Sequence, residues 1–322
     1  MCGGWADRLK GILSTYAFSL IMNRHFLIRI NQGCDLIKIL HPNKINWHYD
    51  QTPRATISTV LIKYEWKYWV SQKIRSEKEL LKKYSDTNLI RIKSGFMFSD
   101  SLAKNPFYKK IINDLGYEQS KFKIVYQFRK WYGELFKLNQ KLQLKYENLV
   151  SSIKPRNTKL ICIQIRTGDP KHVTESGTKI TLDFWNFVKT KFLESTKYLN
   201  TNFSIYVTAD REFVKKEAKE YFPNHPVFYI EDSSVHVEKQ ININKCLDME
   251  NVLLDFHFMQ NCDIGVVSHS GFGIMSMWNR PDPLKNLYVY TQKDQKAFVK
   301  NYYNRKNLTF VKFSKLNDIF FV

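Results

Sequence analysis

The chain lacks the marks of several whole classes of protein. Its five cysteines, Cys2, Cys34, Cys162, Cys246 and Cys262, are odd in number and form no C-x-x-C pair, so disulfide pairing stays open. No stretch approaches the ~20 apolar residues of a membrane span. No charged-then-apolar leader opens the chain, so an anchor or targeting segment would lie upstream of it. The histidines lack H-E-x-x-H or H-x-x-x-H spacing, and no D-x-D pair is present to carry a nucleotide's divalent ion. G-x-G-x-x-G and P-loop patterns are missing, which removes support for dinucleotide binding and nucleoside triphosphate hydrolysis. Ser268-His269-Ser270-Gly271-Phe272 is not G-x-S-x-G, so a hydrolase nucleophile is not supported either. Zinc-finger spacing, RGG tracts and RRM-type aromatic signatures are absent, as are internal repeats and low-complexity segments.

What is present is globular. A length of 322 residues allows two domains, and 43% hydrophobic with 15% aromatic residues supplies a core. A formal charge of +20 promises attraction to anions: nucleic acid, an acidic membrane surface or a phosphorylated small molecule. The basic residues are dispersed, as in Lys73 and Arg75, Lys109 and Lys110, or Lys215 and Lys216. Without a block of like charges, the charge argues only weakly for nucleic acid.

Helical spacing marks Ala6 to Met22, and Phe26 to Ile30 reads as a strand. Lys121 to Val150 is mostly helical in pattern, and Pro155-Arg156-Asn157 is the best linker. Beyond it the chain alternates. Strands are expected at Leu160–Ile165, Phe203–Thr208, Val227–Ile230, Ile264–Val267 and Leu287–Tyr290. Helices are expected at Leu182–Leu199, Arg211–Tyr221, Leu247–Asn261 and Gly271–Trp278. Such alternation implies βαβ units around a parallel sheet. The expected division is an N-terminal α/β domain over 1–155, a C-terminal Rossmann-like domain over 156–300 and a tail over 301–322.

Three turns carry unusual residues. Cys2-Gly3-Gly4-Trp5-Ala6-Asp7-Arg8 opens the first helix, where free amides and the helix dipole favour an anion. The plainer alternative is that Asp7 stabilises the helix start and Arg8 is solvated. Leu160 to Ile165 reads as a buried central strand in which Cys162 is an apolar core thiol. It ends in Arg166-Thr167-Gly168-Asp169, placing a guanidinium beyond the strand's carboxyl end, where α/β sheets bind ligands. That fork suits a phosphate; an Arg–Asp pair closing a turn is the alternative. The third turn, Ser268-His269-Ser270-Gly271, opens a helix, and either serine suits an N-cap. Before it, Asp255 stands among apolar residues and needs a partner, and His257 reads as an interior histidine.

Together these segments resemble the GDP-fucose-dependent fucosyltransferases of the GT-B fold, including the α(1,2)-, α(1,6)- and protein O-fucosyltransferase groups. IQIRTGD (163–169) resembles their H-x-R-x-G-D segment, with Gln164 in place of His. CGGWADRLKGILSTYAFSLIMNRHFLI resembles their N-terminal glycine turn, helix and strand. VLLDFHFMQNCDIGVVSHSGFG (252–273) is similar to their late motif, with Gly271 where a serine is commoner.

The resemblance implies two Rossmann-like domains facing a cleft and an inverting, metal-independent transfer of fucose from GDP-fucose to a hydroxyl of a glycan or glycoprotein. It implies that Arg166 holds the diphosphate and that Asp255 reads guanine. Asp210 would contact ribose or guanine, and Ser268, Ser270, Gly271 and Phe272 would line the phosphates. Gly3, Gly4, Arg8 and Asp169 complete the implied donor set, and Glu175 or Asp7 is the implied base. No metal, other cofactor or nucleic acid is expected. The compartment implied is the Golgi lumen given an upstream anchor, a reading that the sequons at Asn202 and Asn307 fit, and otherwise the cytoplasm. The rival readings are a GT-B transferase using another nucleotide-sugar and a basic non-enzymatic module binding RNA or acidic glycans.

Overall fold

The structure, a computed structural model, describes residues 4–30, 34–49, 58–59, 74–75, 78, 82, 84–87, 89–154, 157–167, 176–231, 245–292 and 308–315. The chain divides into two compact units, one ending at Asn139 and the other running from Gln140 to Phe320.

In the first unit, α1 (Trp5–Met22) buries Leu9, Leu13, Tyr16 and Ala17 along one stripe. Gly11 lies on the opposite side of the helix, where a Cβ would come within 1.9 Å of the Ser94 carbonyl oxygen. Then come β1 (Leu40–Pro42), β2 (Ser58–Thr59), β3 (Ile90–Arg91), α2 (Ser99–Ala103), α3 (Lys109–Asp114), α4 (Ile124–Leu135) and β4 (Phe136–Leu138). Among the described residues the strands form two two-stranded sheets, β1 antiparallel to β4 and β2 parallel to β3. The strand expected at 26–30 is a single bridge, Ile28 to His48.

The long helix expected over 121–150 is interrupted. At Phe136 the backbone turns extended, and Phe136 and Leu138 face inward as β4 while Leu40 pairs with Leu138. The chain re-enters a helix as α5 (Gln140–Ile153), which belongs to the second unit rather than to a first domain ending at 155. Tyr146 on α5 accepts hydrogen bonds from Gln260 at 2.7 Å and Asn261 at 2.9 Å, and Lys141 and Lys145 both reach Glu250 at 3.4 Å.

The second unit continues with β5 (Thr158–Ile165), α6 (Ser176–Val188), β6 (Asn202–Ala209), α7 (Glu212–Tyr221), β7 (Val227–Phe228), α8 (Lys245–Phe258), β8 (Ile264–Ser268), α9 (Gly271–Trp278), β9 (Leu287–Gln292) and β10 (Leu308–Lys312). These strands form one six-stranded sheet in the order β10-β9-β8-β5-β6-β7, parallel except for β10. Part of the expected tail therefore closes the sheet edge, pairing Leu308–Lys312 with β9. Alternation sorts the strand residues by face. Ile161, Ile163 and Ile165 pack with Phe184, Trp185, Val214 and Ala218 under α6 and α7. Cys162 and Gln164 point to the other face, that of α8 and α9. There Cys162 is not a free core thiol but a disulfide partner of Cys262, with Cα atoms 5.7 Å apart across 100 residues. Cys34 and Cys246 are also disulfide-bonded.

Candidate functional site

Strand order locates the site. Beyond β5 the chain goes to β6 on one side, whereas β8 pairs on the other, so the connections diverge between β5 and β8. Ligands of open α/β sheets bind in the crevice outside such a point. Arg166 and Ser268 stand there, and the Arg166 backbone N–H donates to Ser268 Oγ at 2.8 Å. The serine expected as an N-cap thus tethers the end of β5 to the end of β8. Ser270 occupies the N-cap position of α9 without a side-chain capping bond.

Asp210, the first residue past β6, organises the Arg166 turn. Its Oδ1 accepts from the Thr167 N–H and hydroxyl, both at 2.9 Å, and its Oδ2 lies 3.5 Å from Arg166 Nε. One carboxylate thereby orients the guanidinium and pins the following residue. Arg166 stays about one-third exposed, so it is held and still reachable. Ser270, Gly271 and Phe272 follow in the first turn of α9, and the Phe272 ring packs edge-on to Phe256 at 5.5 Å. A positive helix terminus beside a guanidinium is receptive to a dianionic group.

Asp255 lies beneath this crevice, only 1% exposed. Its Oδ1 accepts from the Tyr206 hydroxyl and its Oδ2 from Thr208 Oγ1 at 3.0 Å. These partners answer the demand of a buried carboxylate, and they set Asp255 as a brace under β6. Burial, with the adjacent Asp255 charge, pushes the Tyr206 hydroxyl well above its usual range. His257 is interior, its pKa pushed down to about 4 by burial, so it is neutral at pH 7. The hydroxyls that hold Asp255 occupy alternate positions of β6 on the face where apolar residues are expected, a pattern visible in Y-V-T once the strand's buried face is known.

Gln164 was singled out only as a substitute for His. It is buried on the α9 face, and its Oε1 has no hydrogen-bond partner among the described residues. A Cβ at Gly273 would come within 2.3 Å of that oxygen. The second glycine of G-F-G is the sequence signal for this close approach.

The first unit holds the remaining described candidates on α1. Gly4 is its N-cap, Asp7 pairs with Lys10 at 3.0 Å, and Arg8 is 7% exposed. Gly3, Asp169 and Glu175 lie outside the described residues. Among the described residues no group of three His, Cys, Asp or Glu side chains is placed to hold a metal, and no helix is long and apolar enough to cross a membrane.

No protein-family model and no curated protein sequence matches the chain. Solved structures do. A mutant of Arabidopsis thaliana FUT1 in complex with GDP is similar at a TM-score of 0.66 and 12% identity, over 92% of this chain and 72% of that one. NodZ α(1,6)-fucosyltransferase co-crystallised with GDP is similar at 0.57 and 9% identity, over 97% and 96%. Fucosyltransferase NodZ from Bradyrhizobium is similar at 0.55 and 12% identity, again over 97% and 96%. The chain has the GT-B fold of these fucosyltransferases.

Proposed function

We propose that the protein transfers fucose from GDP-fucose to a hydroxyl of a glycan or glycoprotein, with inversion and without a metal. The observation that carries this reading is Arg166 held by Asp210 and Ser268 at the divergence of β5 and β8, beside the N-terminus of α9. As the glycosidic bond breaks, charge develops on the β-phosphate, and a pre-oriented guanidinium with helix amides stabilises it without reorganising. The support for GDP over another nucleotide is that the similar FUT1 and NodZ structures are themselves complexes with GDP. In this reading Asp210 aims Arg166, Ser268 fixes the turn, and Asp255 braces the wall through Tyr206 and Thr208. The acceptor hydroxyl loses its proton to a carboxylate, with Glu175 and Asp7 as the candidates.

Calorimetric titration with a chelator present tests it. GDP is expected to bind in the micromolar range, about −8 kcal/mol, and UDP not at all. Arg166→Ala should keep the wild-type melting temperature and lose GDP binding and fucosyl transfer. Equal binding of GDP and UDP, or near-normal turnover in that variant, overturns the reading.

A further inference from the structure

At the opposite end of the sheet from the Arg166 crevice, Asn202-Phe203-Ser204 begins β6. We propose that Asn202 carries an N-linked glycan, and that the protein matures in an oxidising, glycosylating compartment. The triplet meets the acceptor pattern, and the fold leaves its asparagine exposed. Asn202 is exposed in the first pair of the β5–β6 ladder, opposite Thr158. The preceding stretch is also open, with Leu199 77% exposed and Asn200 exposed. A glycan there would shield that apolar side chain.

Phe203 and Ser204 are buried, at 4% and 2%. A transferase must read the serine hydroxyl before β6 pairs with β5, so the glycan is added while the chain is still unfolded. The step is a substitution. The Asn202 amide nitrogen bonds to C1 of a glycan carried on a lipid diphosphate. The bond from C1 to phosphate breaks, the lipid diphosphate leaves, and the amide proton goes to solvent.

An independent observation places folding in the same kind of compartment. Cys162 and Cys262 are joined within the second unit, 0% and 5% exposed, and Cys34 and Cys246 are disulfide-bonded too. Bonds of this kind form in the secretory lumen and are rare in reducing cytosol. Position also fits: the eight residues of β6 separate Asn202 from Asp210, roughly 25 Å of extended chain, so a glycan leaves the crevice open.

The test is peptide mapping of the full chain isolated from the cells that make it, with free thiols alkylated under denaturing conditions before reduction. The expected result is an Asn202 peptide that an N-glycosidase converts to the Asp form, and Cys162 and Cys262 protected from alkylation. Asn202→Gln in the same cells should lose that glycan and keep wild-type GDP affinity. Because GDP binding is read separately, failure of the donor reading leaves this result untouched. An unmodified Asn202 peptide, glycan on Asn307 alone, or alkylated Cys162 and Cys262 overturns the proposal.

Discussion

A Cβ at Gly273 would collide with the side-chain oxygen Oε1 of Gln164 and press on Val267 Cβ. Gly273→Ala should therefore cost about 1–3 kcal/mol through overpacking. Trimming the obstacle separates this from a loss of helix geometry: the Gly273→Ala, Gln164→Ala pair should recover much of the loss in urea unfolding. A pair no more stable than Gly273→Ala alone would mean that Gln164 is not the obstacle. Asp210 and Asp255 make a related point about carboxylates near one crevice. Asp210 is bound by the turn it organises, and Asp255 by two hydroxyls below it. Their neighbours, not their residue type, distinguish a residue that aims Arg166 from one that braces a wall.

Helix α8 shows what burial does at the scale of an element. It carries Leu253, Asp255, Phe256 and His257 into the interior. The pKa of His257 is about 4 in the folded protein against 6.5 unfolded. Below pH 6.5 the unfolded chain binds the extra proton first, so stability is complete above that pH and falls as pH drops toward 4. The full loss is on the order of 3 kcal/mol. Urea midpoints at pH 7.5 and pH 5 read it, and His257→Gln should flatten the difference. A wild-type midpoint unchanged between those pH values would contradict the neutral interior histidine. Helices α4 and α5 teach a different lesson. Lys121 to Val150 has near-continuous helical spacing, yet Phe136 and Leu138 gain more from alternating burial in β4 than from helix, and the pattern cannot reveal that competition.

For the whole molecule, the Cys162–Cys262 bond ties the centre of the sheet to the end of the α8 segment across 100 residues. Closing so long a loop restricts the unfolded chain, and opening it should cost about 2–4 kcal/mol. Since both sulfurs are buried, reductant should leave the native protein unchanged and act only once denaturant is added, with alkylation mass shifts as the readout. Ready reduction without denaturant would contradict the buried bond. The βαβ alternation from Leu160 onward was legible because a strand buried on both faces leaves a short β-branched run bounded by turns. Arg166 was legible for the same reason, as the first polar residue past such a run. Strand order, the Asp210 and Ser268 tethers, the hydroxyls under Asp255 and the disulfide were not. Each joins residues roughly forty to a hundred positions apart, and local patterning carries no information about which distant segment will lie alongside. The sequence by itself determined the α/β class, the alternation of strands and helices from β5 to β9 and the arginine at the end of β5. Only the tertiary structure decided which carboxylate aims that residue, which is sealed beneath it, and which cysteines meet, because those outcomes depend on packing between elements.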